Sequence, residues 1–206
     1  MIDPSQLLTS GARRLSELIA NSVASGRQKR AQRLQFIKDL HAALLSVDAD
    51  YRRILLGLLD LLEELAAEPD RASAMRRMRE ATRSLRQQRE VLDHVRAGLR
   101  LSIRNLMLFT DDAQTRHYLW AVAGYLLDED PGLGFPANVE STVQRLLDRD
   151  IGAVARTPSS VILDALEDGS TPDQVIAVIQ TRRAQMKHFL EYAIDRYTYL
   201  LARELR

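Results

Sequence analysis

The sequence contains no cysteine and few helix-breaking residues, with nine glycines and six prolines among 206 residues. Without cysteine there is no disulfide, no thiol nucleophile and no thiolate metal site, and the absence suits a chain kept in the cytoplasm. Scarce Gly and Pro argue against the many short strands and tight turns of an all-β fold. Long apolar runs are also missing. The most apolar stretches, 54–65 and 118–127, fall short of the ~20 residues a membrane-spanning helix needs, so no membrane span is expected. The start, Met1-Ile2-Asp3-Pro4, lacks the basic-then-apolar pattern of an export signal. Neither sign of charge dominates, since 29 basic residues against 28 acidic ones leave a net +1.

What is present is hydrophobicity at helical spacing. The 46% of hydrophobic residues is ample for a core, and 206 residues suit a single all-helical domain spanning 1–206. A subdivision into a long-helix bundle, 1–127, and shorter helices with a long C-terminal helix, 137–206, is compatible with the pattern. No segment alternates with period two, so no sheet is expected.

Asp3-Pro4 reads as a helix start, followed by Leu8, Ala12, Leu15, Ile19 and Val23 at helical spacing. Gly26 marks a kink or stop. The pattern resumes with Leu34, Ile37, Leu40 and Leu44 and is expected to end near Val47, with Asp48 and Asp50 capping a new helix. That helix, with leucines over most of its circumference between Ile54 and Leu65, reads as the central, most buried one. Glu68-Pro69-Asp70 breaks the chain and caps a very long helix to about Phe109, with Met75, Met78, Leu85, Leu92, Leu99, Ile103 and Leu106 on a seven-residue spacing into which Arg89 and Arg96 intrude. Thr110-Asp111-Asp112 caps the next helix, which holds the single tryptophan, Trp120. A loop follows at 128–136, then shorter helices near 139–147 and after Thr157-Pro158. Thr171-Pro172 starts the last helix, whose core stripe is Val175, Ile179, Met186, Phe189, Ala193, Tyr197 and Leu200. The expected fold is an all-α, elongated bundle of about seven or eight helices.

Charge is segregated along this framework. Residues 71–104 carry ten arginines against Glu80, Glu90 and Asp93, a net of +7, whereas 41–70 and 111–150 are each net −5. On a helical wheel Arg76, Arg79, Arg83 and Arg86 share one face, which Arg100 and Arg104 continue. Such a stripe suits a nucleic-acid backbone or an acidic partner, because the guanidinium binds phosphate and carboxylate bidentately. It lacks the interleaved aromatics that stack single strands, and complementary acidic blocks lie in the same chain. On the last helix His188, Tyr192, Asp195 and Tyr199 follow at spacings of four, three and four, a separate face suited to a subunit interface.

Catalytic and cofactor motifs are hard to find. Of His41, His94, His117 and His188, none lies three or four residues from another, and no Glu-x-x-His exists, so helix-borne metal sites are unsupported. Gly132-Leu133-Gly134 lacks the third glycine of a dinucleotide loop. Ser159 and Ser160 read as first-turn helix residues and Asp148-Arg149-Asp150 as a solvated helix end. The spacings Arg89 to His94, Arg182 to His188 and Arg183 to His188 resemble the Arg, four to six residues, His pattern of HEPN-family ribonucleases, which are small all-helical bundles. The resemblance implies RNA cleavage centred on Arg183 and His188. Ala184 stands where that family usually has a polar residue, and five residues of unbroken helix rotate side chains ~140° apart.

The sequence therefore leads to a non-enzymatic interaction or scaffold protein, an accessory subunit or homo-oligomer with no cofactor and no metal. Its expected partner is a protein or a second copy. The alternatives are a nucleic-acid-backbone binder and a HEPN-like ribonuclease.

Overall fold

The computed structural model describes residues 26–67, 69–126, 143, 162, 165–166 and 168–204, with the side chains of 26–29, 71, 74–75, 88–96 and 109 outside that description. The expected helix before Gly26, the loop at 128–136, the Ser159-Ser160 and 148–150 readings, and all but a few residues of the helices near 139–147 and after Thr157-Pro158 lie outside the described residues. Four helices carry the fold: α1 Gly26–Ala66, α2 Arg71–Phe109, α3 Ala113–Leu126 and α4 Pro172–Glu204. Val143, Ile162 and Leu166 are further helical residues buried in the same core. Among the described residues there is no strand.

Local chemistry explains where most helices begin. The Asp70 carboxylate accepts from the Ala72 amide at 3.0 Å and caps α2. Asp112 accepts from the amide and hydroxyl of Thr115 at 2.9 and 2.8 Å and opens α3. Before α4, Gly169 takes φ +74°, a conformation glycine adopts without a Cβ clash. Thr171 and Gln174 then form a reciprocal capping box around Pro172, with hydrogen bonds of 2.8 and 3.4 Å.

The expected break at 47–50 does not occur, and α1 is one helix of 41 residues. Its two aspartates are engaged by side chains instead of by backbone amides. Asp48 takes Arg52 at 2.6 Å and the Tyr125 hydroxyl at 3.2 Å, and Asp50 takes Arg53 at 2.6 Å. With those carboxylates occupied, apolar spacing runs without interruption from Ile37 through Leu40, Leu44, Val47, Tyr51, Leu55 and Leu58 to Leu62, all buried.

α1 and α2 form an antiparallel hairpin, joined near its tip by Arg77 and Glu64 at 2.5 Å. α4 runs antiparallel to α1, with Arg30 meeting Glu204 at one end and His41 stacking on Tyr197 further along. α3 is parallel to α1, because His41 faces Tyr118 and Asp48 faces Tyr125. It is antiparallel to α4, where Trp120 packs edge-on against Phe189 and Tyr192. α1 is thus covered on two sides, which accounts for its leucines. Coverage is not complete, since Leu62 is wholly buried and Leu56 is 44% exposed.

Candidate interaction surface

Core residues of α2, among them Leu85, Leu99, Ile103 and Leu106, face α1 and the bundle. That packing turns the arginine positions outward. Arg76, Arg79, Arg83, Arg86 and Arg104 are exposed and Arg100 is half-buried. Arg77, off the stripe, is the arginine of this stretch that reaches an acid of α1. Among the described residues Arg76, Arg79, Arg83 and Arg104 enter no ion pair. From Arg76 to Arg104 the stripe covers about 42 Å at ~1.5 Å per residue. Leu101 and Leu108 stand on the same side of α2, exposed by 39% and 74%.

The four-residue face expected on α4 divides. Tyr192 is half-buried and covered by α3: its ring lies edge-on to Trp120 at 5.7 Å and its hydroxyl is 3.4 Å from His117 Nδ1. The Arg196 guanidinium sits 5.1 Å over the same ring. Tyr199 is 50% exposed, and His188 and Asp195 are exposed. Asp195 pairs with Arg196 at 2.8 Å.

Three polar clusters, two buried and one part-buried at the helix ends, join helices that are far apart in sequence. In the first, His41 is 6% exposed, stacks on Tyr197 with ring centroids 3.7 Å apart, and lies 3.4 Å from the Tyr118 hydroxyl. Burial pushes the His41 pKa down and the Tyr118 and Tyr197 phenols up. In the second, Tyr125 donates to Asp48, and burial reinforced by that carboxylate raises the phenol far above its ordinary range. The third joins three helix ends. Arg203 donates to both oxygens of Asp112 at 2.7 and 3.0 Å, and Glu204 receives Arg30 and Arg33. Burial alone would raise Asp112, but the hydrogen bonds from Arg203 and Thr115 outweigh it and hold the pKa at about 2. Glu204 is lowered in the same way, Arg30 and Arg33 overcoming its desolvation.

None of these clusters was visible from sequence spacing, because their partners are 75 or more residues apart. The one available signal was Asp48 itself, a carboxylate in register with the apolar stripe of α1. Their hydrogen bonds, ion pairs and ring contacts tie α1, α3 and α4 together. Among the described residues no group of three His, Asp or Glu side chains could hold a metal ion, and no helix is long and apolar enough to cross a membrane.

An open groove of about 610 Å³ separates α1 from α4, with Tyr51, Leu55 and Leu190 as apolar lining and Arg52, Arg183 and Lys187 among its polar residues. Arg183 lines it and His188 does not; both belong to the unbroken α4, and His188 lies edge-on to Phe189 at 5.6 Å. The helix therefore does not bring the two residues of the HEPN-like spacing together. The side chains of Arg89 and His94 lie outside the described residues. No family model matches this sequence, and comparison with curated proteins and with solved structures returned no match.

Proposed function

We propose that the chain is a non-enzymatic helical interaction or scaffold protein, working in the cytoplasm as an accessory subunit of a larger assembly or as a homo-oligomer. Its binding face is the outer side of α2. The observation that carries this reading is the company the arginines keep. Arg104 stands between exposed Leu101 and Leu108, and Arg76, Arg79 and Arg83 have no acid paired to them among the described residues. Arginine is enriched at protein interfaces, and exposed apolar side chains grouped beside it supply the surface that such a contact buries. The proposal includes the fuller architecture, an elongated single domain of seven or eight helices, and Tyr199 with His188 as a lesser contact surface.

Changing Arg79 and Arg83 together to Glu tests it. Both are exposed, so melting should move by less than ~0.5 kcal/mol, while the light-scattering mass or partner binding changes. Unaltered mass and unaltered partner binding would remove α2 from the function.

A second reading, binding to a nucleic-acid backbone, is favoured by the ~42 Å length of the stripe. It requires an affinity for duplex or single strands that falls steeply with salt. An affinity flat in salt eliminates it. The HEPN-like ribonuclease reading requires RNA hydrolysis that disappears in His188→Ala.

A further inference from the structure

One row of side chains on α1 stays in solvent. Lys38, Leu45, Leu56 and Glu63 are all exposed, the two leucines by 41% and 44%. Their spacings of 7, 11 and 7 residues each bring the helix back to within about 20° of the same direction. The four therefore share a single face of a single helix. The row is also symmetric about a point midway between Asp50 and Tyr51. The leucines lie equally far on either side of that point, and so do Lys38 and Glu63. Neither Lys38 nor Glu63 enters an ion pair among the described residues. Ala49 and Arg52 flank the row near its middle, both exposed, and the Arg52 charge is already held by Asp48 at 2.6 Å.

We propose that this row pairs with the same row of a second copy, as two antiparallel α1 helices related by a two-fold axis at that midpoint. A two-fold contact uses one patch twice, so the patch must complement itself when reversed. Reversal about the midpoint sets Lys38 against the partner's Glu63 and Leu45 against the partner's Leu56, each twice. The leucines bury one another, and the ion pairs close the two ends, about 38 Å apart, as a charged rim around an apolar centre. Ala49 falls opposite the partner's Arg52 and leaves room for its aliphatic stem. A parallel pairing would instead set Lys38 on Lys38 and Glu63 on Glu63, like charge against like. A partner of different sequence would have no use for the symmetry of the row. The net charge of +1 leaves no overall repulsion between copies. The contact uses none of the α2 arginines, so it adds a second surface to the interaction reading above.

The test uses the full chain. Sedimentation of the wild type over a concentration series should rise from the 23.4 kDa protomer mass to about twice that value. Leu45→Glu and Leu56→Lys should each associate about ten-fold more weakly. Mixing the two should recover a heterodimer, because the new carboxylate then meets the new ammonium. Both positions are exposed, helicity and melting report folding, and Lys38→Glu probes the same pairing from its ends. The chain has no cysteine, so introduced thiols report register without background. A mixture of Leu45→Cys and Leu56→Cys chains should link under a mild oxidant faster than either variant alone, since each position lies about 16 Å along the axis from its own copy. A wild type at protomer mass at every concentration overturns the pairing. Folded variants that dimerise as the wild type does, or thiol variants that link equally well alone, also overturn it. Arg79→Glu/Arg83→Glu should leave the dimer mass unchanged. A loss of mass there, with none in the α1 variants, moves self-association to α2 and overturns the α1 pairing without touching the α2 reading.

Discussion

Gly124 of α3 offers the sharpest test of the packing, because two opposing effects act on one methyl group. Replacing an interior helical glycine by alanine gains about 0.8–1.0 kcal/mol in propensity. At Gly124 the new Cβ would stand 2.6 Å from Phe189 Cδ1 and 2.8 Å from Cζ, and closer still to Cε1. Carbon atoms rest at ~3.5–4.0 Å, so the ring would have to retreat by about 1 Å. It has little room, being 7% exposed and backed edge-on by Trp120 at 5.3 Å. Such overpacking costs about 1–3 kcal/mol. Gly57 in α1 is the control: it is exposed, and a Cβ there meets nothing within 4 Å. The propensity gain is common to both, so their difference isolates the steric cost. Gly124→Ala should fall below Gly57→Ala by about 1–3 kcal/mol, or at least ~2 °C in Tm at this chain length. Urea and thermal melts followed by far-UV dichroism measure it. A Gly124→Ala protein as stable as Gly57→Ala would refute the close approach of α3 to α4.

Two further outcomes are expected. Leu62→Asp places an unpaired carboxylate at a fully buried position of α1 and should lower stability by several kcal/mol; a melt within a degree or two of wild type would show that α1 is not central. The His41 pKa is depressed by burial, so on acidification the unfolded chain takes up a proton near pH 6.5 while the folded chain resists it. Stability should therefore fall as pH drops below about 6.5, and His41→Gln should flatten that slope. His117, lowered by burial and by Arg196, adds a slope of the same sign. Asp112, held at about 2, adds a separate loss between its ordinary 3.8 and that value. An unchanged slope in His41→Gln would remove His41 as its source.

Helix starts were legible because capping is local: Asp70, Asp112 and Thr171 act within two or three residues of themselves. The core stripe of α4 was legible for the same reason, its period being a property of one helix. The junction at 47–50 was misread because the alternative partner of Asp48 is Tyr125, 77 residues away, and no local rule distinguishes a capping aspartate from one bonded across the bundle. Outward placement of the arginine face follows from the seven-residue apolar spacing of α2. Leu56 is the opposite case, an apolar residue in a leucine-rich run that packing with α2 and α4 leaves uncovered.

The two tyrosine bonds between α1 and α3 bear on how the bundle finds one alignment. His41 to Asp48 and Tyr118 to Tyr125 are both steps of seven, so the two helices carry matching rulers. Leucine and alanine surfaces would tolerate a slide of one turn, about 5.4 Å, since apolar groups still meet apolar groups. The tyrosines would not, because such a slide strands both pairs at once. Each orphaned buried group costs about 1–3 kcal/mol. A slide by seven residues could return Tyr118 to a polar partner, Asp48, but it would set Tyr125 against Leu55 and leave His41 without a hydroxyl. Two modest hydrogen bonds thereby select a single registration from a set that apolar burial alone leaves nearly equivalent.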